Sequence, residues 1–281
     1  MSAGGNGPAA PDSSLPLKSG AVMHTWTTGS PCGVVVLQHG FGEYAERYAA
    51  QHARLVPHLL EAGFEVRALD LWGHGRSPGR RAVTSVRLAV GDHLAVRQAA
   101  AQPGLPTVLL GHSLGALVTA GSALAAPEGL AGVVLLSPSL PREPALVRRT
   151  LGAVASVAPW APLPRRRSPV GALSRIPSVG QRASADPLMF DGQVTMLTAA
   201  TALDTAERLR AGLADWRVPT LLVHGTADTY TDPAAGRAFA DAIASPDKAV
   251  HLIEGAYHEL LNDSCADQVL GLILRWMGDH T

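Results

Sequence analysis

A single serine between two glycines, at the junction of a strand and a helix, constrains this chain more than any other feature of its sequence. The segment TVLLGHSLGALVTAG predicts a buried strand over residues 107–110 and a helix over residues 114–124, with few residues to join them. This context predicts a strained turn that projects the hydroxyl of Ser113 above a sheet. Side chains at Gly111 and Gly115 would clash in such a turn, and the helix N-terminus adds partial positive charge nearby.

Strands and helices alternate along most of the remaining sequence. Short apolar runs that end in glycine-rich or polar loops predict strands, and amphipathic stretches between them predict helices. This alternation predicts an α/β fold in which helices cover both faces of a mostly parallel central sheet. The other predicted strands are residues 34–37, 64–71, 132–136, 220–223 and 250–253, and the predicted helices include residues 47–61 and 86–102.

The alternation stops between residues 140 and 205, where eight prolines and the arginine run 165–167 interrupt apolar helical pieces. We expect a helical cap inserted over the carboxyl edge of the sheet, where ligands bind in open α/β folds. Leu151, Val154, Val157 and Trp160 favour a cap over an ordinary surface excursion, because they are too apolar to face only water. The predicted organisation is a disordered lead-in at residues 1–14, a core formed by residues 15–139 and 206–281, and a cap at residues 140–205.

Composition and motifs exclude several other classes of protein. The 23 basic and 23 acidic residues give a formal net charge of zero, so no nucleic-acid partner is expected. No apolar run reaches the roughly 18 residues of a membrane span, and the N-terminus lacks the pattern of a signal peptide. Two cysteines in 281 residues favour a reducing, cytoplasmic location. Phosphate-loop, dinucleotide and zinc motifs are missing, so neither a cofactor nor a metal is expected.

Two later residues complete a possible nucleophilic site around the serine. A serine hydroxyl needs a base to remove its proton, and the base needs a third group to orient it. Asp228 follows the strand 220–223, and His258 follows the strand that ends at residue 253, so both lie where loops converge above the sheet. Asp232 is a rival acid, and its alternative role is to cap the helix that begins with the next residue. His224 and His251 are interpreted as packing residues.

A developing oxyanion at the reacting carbonyl also needs hydrogen-bond donors. The turn around the serine supplies the backbone N–H of Leu114. We assign the second donor to the backbone N–H of Phe41, which lies between two permissive glycines in QHGFGEY after the first core strand. The alternative interpretation of this segment is a simple tight turn.

Five sequence blocks, QHGFGEYAERY, DLWGHGRSPGRR, LLGHSLGA, HGTADTYTD and EGAYHEL, resemble the monoacylglycerol lipase and lysophospholipase-like branch of the α/β-hydrolase superfamily, which includes serine aminopeptidases of the S33 type. The similarity covers residues 33–276 and includes SADPL in the cap. It implies the α/β-hydrolase fold and no cofactor. It also places the family's nucleophile, acid and base on Ser113, Asp228 and His258, and its oxyanion donors on Phe41 and Leu114.

The resemblance further matches Glu43, Arg47 and His112 to polar positions near the glycerol-binding end of the family's site, although each is equally well a structural ion pair or hydrogen bond. Thr231 marks a departure, because the animal lipases carry a reactive cysteine there. We therefore do not expect thiol sensitivity. The cap sequence diverges strongly, and the cap shapes the pockets for the acyl chain and the leaving group.

The leading hypothesis is a serine hydrolase that cleaves carboxylic esters through an acyl-enzyme, with a single-chain lipid ester such as a monoacylglycerol or lysophospholipid as substrate. The expected partners are a small ester with an acyl chain and, transiently, a membrane surface that the cap touches. A thioesterase, an aminopeptidase, a biosynthetic-pathway hydrolase and a low-turnover hydrolase-fold binding protein remain open. Dehalogenase chemistry is disfavoured because the turn holds serine where those enzymes use aspartate.

Overall fold

One eight-stranded sheet organises the structure, a computed structural model that describes residues 10–164 and 168–281. The strand order is β1-β2-β4-β3-β5-β6-β7-β8, and all pairs from β4 to β8 are parallel. The predicted, mostly parallel α/β sheet is therefore confirmed. The strands are β1 (Ser13–Pro16), β2 (Val22–Trp26), β3 (Gly33–Gln38), β4 (Phe64–Leu69), β5 (Thr107–His112), β6 (Leu130–Leu136), β7 (Thr220–Gly225) and β8 (Lys248–Ile253).

The central strands are buried along their whole length because helices pack on both faces of the sheet. Every residue of β3, β5 and β7 is buried. One apolar cluster fills the space on one face, with Leu109, Leu117 and Trp216 among its members, and a second fills the other face, with Leu110 and Trp276. This rigid centre fixes the carboxyl ends of β5, β7 and β8 relative to one another.

Two N-terminal strands correct the sequence prediction. Strands β1 and β2 form an antiparallel pair, and β2 pairs antiparallel with β4, so this edge of the sheet differs from the rest. Ser13 and Ser14 lie in β1, although residues 1–14 were expected to be a disordered lead-in; residues 1–9 lie outside the described residues. The strand escaped prediction because it is short and half-exposed, and therefore lacks an apolar run.

The helices follow the predicted alternation, with one break. Residues 47–61, predicted as one helix, form two, because residues 52–54 adopt positive φ angles between them. Pro57 provides a physical reason: it lacks an N–H and would disturb the interior of a continuous helix, but it lies in the first turn of the second one. The helices are α1 (Arg47–Ala50), α2 (Leu55–Glu61), α3 (Val86–Ala100), α4 (Leu114–Ala125), α5 (Ala145–Val157), α6 (Pro177–Ala185), α7 (Met196–Gly212), α8 (Pro233–Ala242) and α9 (Ala266–His280).

Helices α5 and α6 lie in the segment expected to form a cap. The expected boundary at residue 205 falls inside α7, which packs against both α5 and the core helix α4, and the arginine run 165–167 lies outside the described residues. The expectation that the apolar cap residues avoid water is only partly met, because Val157 and Trp160 are 77% and 49% exposed. In the described part of the chain, no helix combines the length and apolarity needed to cross a bilayer.

Candidate active site

Ser113 occupies a strained turn between β5 and α4. Its backbone angles, φ 54° and ψ −121°, are rare for a residue with a side chain, and such strain persists only where the surroundings hold it. Strand β6 and the loop after it provide that support: the N–H of Ser113 donates to the carbonyl of Leu136 over 2.9 Å, and its carbonyl accepts from the N–H of Ser139 over 3.0 Å. The side chain does not cap its own helix.

The two flanking glycines are required by close packing. A Cβ atom at Gly111 would overlap the backbone and side chains of α4, and one at Gly115 would overlap the carbonyl oxygens of Gln38 and His39 at the end of β3. The turn can therefore approach both the following helix and the adjacent strand only if these positions lack side chains.

His258 and Asp228 meet at the carboxyl edge of the sheet, in the loops after β8 and β7. Nδ1 of His258 lies 2.7 Å from Oδ2 of Asp228. Because a carboxylate only accepts hydrogen bonds, we place the proton on Nδ1, which leaves Nε2 as the basic nitrogen. The imidazole of His258 and the hydroxyl-bearing Ser113 line the same cavity.

Asp228 is surrounded by more donors than the sequence indicated. Its Oδ1 accepts the backbone N–H groups of Tyr230 (2.7 Å) and Thr231 (3.1 Å), and its Oδ2 accepts the hydroxyl of Thr231 (2.7 Å). Nε2 of His224 lies 3.2 Å from Oδ2, so this histidine is a partner of the acid and not the packing residue expected from its place in a strand. Burial opposes ionisation, but His258, His224 and Thr231 together hold the pKa of Asp228 far below its ordinary value.

His258 is buried between two rings. Tyr230 stacks on its imidazole with 4.9 Å between ring centroids, and the ring of His112 lies 4.8 Å away on a tilted plane. The carbonyl of His258 accepts the hydroxyl of Ser137 over 2.9 Å, which fixes the backbone. Burial lowers the pKa of His258 below its ordinary value although Asp228 opposes the change, so the imidazole is neutral at pH 7 and can accept a proton.

Asp232, the rival acid, caps a helix. Its Oδ1 accepts the N–H of Ala234 over 2.9 Å at the start of α8, and Pro233 occupies the first helical position. This is the capping role weighed as its alternative.

The expected oxyanion donors flank the serine. The segment that we call the oxyanion loop, residues 40–44, lies so close that a Cβ atom at Gly40 would be 3.0 Å from Cβ of Ser113. Phe41 and Leu114 line the cavity beside the serine. Leu114 is the first residue of α4, where N–H groups have no partner within the helix.

The cavity itself is long and largely apolar. Its volume is about 1040 Å³, and it extends from the serine beneath α5 and between α7 and α8. The polar end holds the serine, His258, His112 and Glu43. The apolar wall includes Leu151, Met189, Leu203, Ala206, Leu209, Ala235, Ala238 and Phe239.

A buried charge cluster, formed by Glu43, Arg47, His52, His112 and Glu259, lies behind the polar end. Glu43 contacts Arg47 at 2.7 Å, His112 at 2.8 Å and His52 at 2.9 Å, and also accepts the N–H of Gly40. Arg47 bridges to Glu259 at 3.0 Å. The side chain of Arg47 is fully buried and is not among the described residues that line the cavity, so a direct contact with substrate is not supported for it.

The charges of this cluster are mutually compensated. Burial would raise the pKa of Glu43, but His52 and His112 hold it well below the ordinary value. Burial would lower the pKa of His112, but Glu43 raises it above the ordinary value. Arg47 keeps the pKa of Glu259 at about 2 despite its burial. Both oxygens of Glu43 already accept from protein donors, which favours the structural role over substrate binding.

One possible metal-ligand set occurs among the described residues, within the same cluster. Ligand atoms of Glu43, His52 and Glu259 lie within 4.8 Å of one another. The guanidinium of Arg47 contacts both carboxylates, and it already supplies the positive charge that a cation would bring.

Comparison with known proteins places this geometry in context. The family model described as serine aminopeptidase, S33, matches residues 29–265. The chain is 31% identical to a monoacylglycerol lipase of Mycolicibacterium smegmatis over 92% of this chain and 93% of that protein, and 30% identical to the human monoglyceride lipase over 90% and 85%. The crystal structure of Paleococcus ferrophilus monoacylglycerol lipase superposes with a TM-score of 0.81 at 32% identity, covering 92% of this chain and 99% of that one.

Proposed function

The chain belongs to the serine aminopeptidase S33 family of α/β-hydrolases and is a carboxylic ester hydrolase, and from this premise we propose that Ser113, His258 and Asp228 carry out the hydrolysis of single-chain lipid esters of the monoacylglycerol type. The observation that carries the proposal is the 2.7 Å contact between Asp228 and His258, whose imidazole lines the same cavity as Ser113. The catalytic roles follow from the chemistry of these groups.

In the first half-reaction, Oγ of Ser113 attacks the carbonyl carbon of the ester while Nε2 of His258 takes the hydroxyl proton. Asp228 keeps the imidazole oriented and stabilises its positive charge. The carbonyl oxygen becomes an oxyanion that accepts from the N–H groups of Phe41 and Leu114. The tetrahedral intermediate then collapses: the bond to the alcohol oxygen breaks, the imidazolium protonates that oxygen, and glycerol leaves.

In the second half-reaction, water replaces the alcohol. His258 accepts a proton from the water as its oxygen attacks the acyl-enzyme carbonyl, and the same two amides hold the second oxyanion. Collapse breaks the bond to Oγ of Ser113, which recovers its proton from His258 as the fatty acid leaves. The lowered pKa of His258 supports this role, because the base must be neutral at the start of each half-reaction.

The size and lining of the cavity support an acyl chain as the occupant of its apolar part. A volume of about 1040 Å³ lies at the upper end of ordinary ligand pockets, which range over about 300–1,000 Å³. Each methylene transferred from water to this lining gains about 0.8 kcal/mol. We assign the polar end, walled by Glu43 and His112, to the glycerol group, with Arg47 holding that wall from behind.

Exposed apolar residues support transient contact between the cap and a lipid surface. Leu146 and Val157, at the two ends of α5, are 76% and 77% exposed, and Trp160 follows at 49%. Apolar side chains and tryptophan at the boundary of a protein favour such surfaces. We also propose a cytoplasmic location, which the free thiols of Cys32 and Cys265 support.

The test is hydrolysis of medium-chain and long-chain monoacylglycerols by the purified protein. We expect equimolar release of glycerol and fatty acid by the wild-type protein, and a rate about 10⁴-fold or more lower for Ser113→Ala. Acyl-thioesters and peptide amides with the same acyl groups serve as competing substrates.

Two outcomes would contradict the proposal. Equal turnover by the wild-type protein and Ser113→Ala would show that Ser113 is not the nucleophile. A higher kcat/KM for a thioester or an amide than for the monoacylglycerol would show that esters are not the preferred substrate class. A fluorophosphonate probe separates enzyme from binding protein, because it labels Ser113 only if the hydroxyl is activated.

A further inference from the structure

The oxyanion loop is tied to the cap at two points. The segment that we call the cap strap, residues 186–190, follows α6 and contains the end of the SADPL block. The hydroxyl of Tyr44 donates to Oδ2 of Asp186 over 2.8 Å, and the N–H of Phe190 donates to the carbonyl of Gly42 over 2.8 Å. The loop therefore donates one hydrogen bond to, and accepts one from, a part of the chain more than a hundred residues away.

The strap is built to hold its own shape. Oδ1 of Asp186 accepts the N–H of Leu188 over 2.8 Å, and its carbonyl accepts the N–H of Met189 over 3.1 Å. Pro187 restricts the backbone between them. Burial and the carboxylate of Asp186 both raise the pKa of Tyr44, so its hydroxyl stays protonated and remains a donor.

Phe41 lies between an anchor in the core and an anchor in the cap. On the core side, Oε1 of Glu43 accepts the N–H of Gly40 over 2.8 Å and also lies 2.8 Å from Nδ1 of His112 in β5. On the cap side, Phe190 holds the carbonyl of Gly42, which adopts φ 82°. The ring of Phe41 packs edge-on against the ring of Phe190, with 5.8 Å between centroids.

We propose that Asp186 and Phe190 are positioning residues for the N–H of Phe41, so that the cap strap sets one half of the oxyanion hole. The inference rests on the proposed function, in which this N–H stabilises the oxyanion. Such donors work only when they are held close to the position that the oxyanion will occupy, and the loss of one costs about 10²–10³-fold in kcat. A donor that is displaced but still present should lower kcat by a smaller factor.

The cavity connects the strap to the substrate. Met189, which lies between Asp186 and Phe190 in the cap strap, lines the cavity. An acyl chain in the cavity packs against this residue and holds the strap against the oxyanion loop. Occupation of the acyl site and alignment of Phe41 are coupled in this way, which favours turnover of substrates that fill the cavity.

The test compares Asp186→Ala, Asp186→Asn and Tyr44→Phe with the wild-type protein. Tyr44→Phe removes only the hydrogen bond to Asp186, whereas Asp186→Ala also removes the one from the N–H of Leu188. We expect each variant to lower kcat about tenfold with KM within about twofold, and the double variant to lose no more than Asp186→Ala alone. Asp186→Asn keeps one acceptor oxygen where the carboxylate uses two, so this variant should be slower than the wild-type protein but faster than Asp186→Ala.

Inhibition by a trifluoromethyl ketone gives a readout that a merely structural role would not move. The adduct of this ketone with Ser113 carries an oxyanion, so its Ki should rise by the same factor as kcat falls. Ser174→Ala is the matched control, because it breaks another cap-to-core bond, the 2.8 Å contact with the carbonyl of Asn262, away from the oxyanion loop. It should change Tm but leave kcat and Ki unchanged.

The proposal is overturned if Asp186→Ala and Tyr44→Phe keep the wild-type kcat and Ki, or if the whole loss appears in KM. Should Asp186→Ala not fold, Tyr44→Phe carries the test, because it retains the ring. Failure of the proposed function is distinguishable: Ser113→Ala would then stay active, whereas an inactive Ser113→Ala with normal strap variants removes only this inference.

Discussion

The molecule brings a serine, a histidine and an aspartate together at two places, and the difference between them shows what a nucleophilic site requires. At the antiparallel edge of the sheet, Oγ of Ser14 lies 2.8 Å from Nδ1 of His24, whose Nε2 lies 2.9 Å from Oδ2 of Asp70. Hydrogen bonds join all three members of this edge group, whereas the contact described around Ser113 is the one between His258 and Asp228.

The surroundings of the two serines differ. Ser14 lies in the regular strand β1, directly opposite His24, whereas Ser113 lies in a strained turn at the N-terminus of a helix. None of the three edge residues is among the described residues that line the long cavity. Asp70 also accepts the N–H groups of Ala45 and Arg76, so it joins two loops to the sheet. A serine, a histidine and an aspartate thus form a proposed catalytic site only where a carbonyl can approach and amides can stabilise its developing charge.

The largest expected effect separates the two serines. Ser113→Ala should lower ester hydrolysis by about 10⁴-fold or more and abolish fluorophosphonate labelling, because the nucleophile is gone. Ser14→Ala, the matched control, should retain activity within about twofold. Turnover and labelling are measured on the folded proteins. Labelling of Ser14 in the Ser113→Ala protein would show that the edge serine is also activated, and would contradict this distinction.

The stability of the folded protein should depend more on His24, in the edge group, than on His258, whereas activity should depend on the group around Ser113. His24→Ala leaves a hole in the sheet and removes a partner of the buried Asp70, so we expect a loss of about 3 kcal/mol in the free energy of unfolding. His258→Ala should cost less, about 1–2 kcal/mol, since its ring borders the cavity and four other donor groups still contact Asp228. Urea unfolding at pH 7 measures both; equal losses would show that the two groups are structurally equivalent.

The pH profile also distinguishes His258 from His24, because the pH dependence of kcat/KM reports the pKa of a histidine that acts on the substrate. The pKa of His258 is lowered below its ordinary value of 6.5, so activity should persist below pH 6.5 and fall as the imidazole becomes protonated at lower pH. The nearby His112 contributes to this lowering.

Replacing His112 by glutamine should therefore move the acid limb to higher pH, by up to about one unit. His24→Gln is the control and should leave the limb in place. A limb that stays fixed in His112→Gln would contradict the assigned electrostatic coupling.

The smallest expected effect concerns the additional donor to Asp228. Thr231→Val removes the hydroxyl that lies 2.7 Å from Oδ2, and we expect about a fivefold loss in kcat, corresponding to about 1 kcal/mol for one hydrogen bond. Thr231→Ser keeps the hydroxyl and should retain the rate. Steady-state kinetics on a soluble ester decides the result, and an equal loss in both variants would show that the hydroxyl does not account for the effect.

Much of the fold was predictable because the features that specify it lie within short stretches of sequence. The glycines around Ser113 are dictated by the sterics of one turn, and the six parallel strands follow from short apolar runs. The antiparallel edge was missed since β1 is short and half-exposed. His224 was misassigned because its place in a strand indicates burial and says nothing about the carboxylate four residues later.

The sequence by itself determined the fold class, the strained serine turn and the candidate acid and base, because backbone sterics, hydrophobic periodicity and chain order act over a few residues at a time. Only the tertiary structure decided which groups surround them. Arg47 pairs with Glu259, 212 residues away, and Tyr44 with Asp186, 142 residues away. Such pairings depend on how whole elements pack, and the packing of the full core fixes those positions to within a hydrogen-bond length.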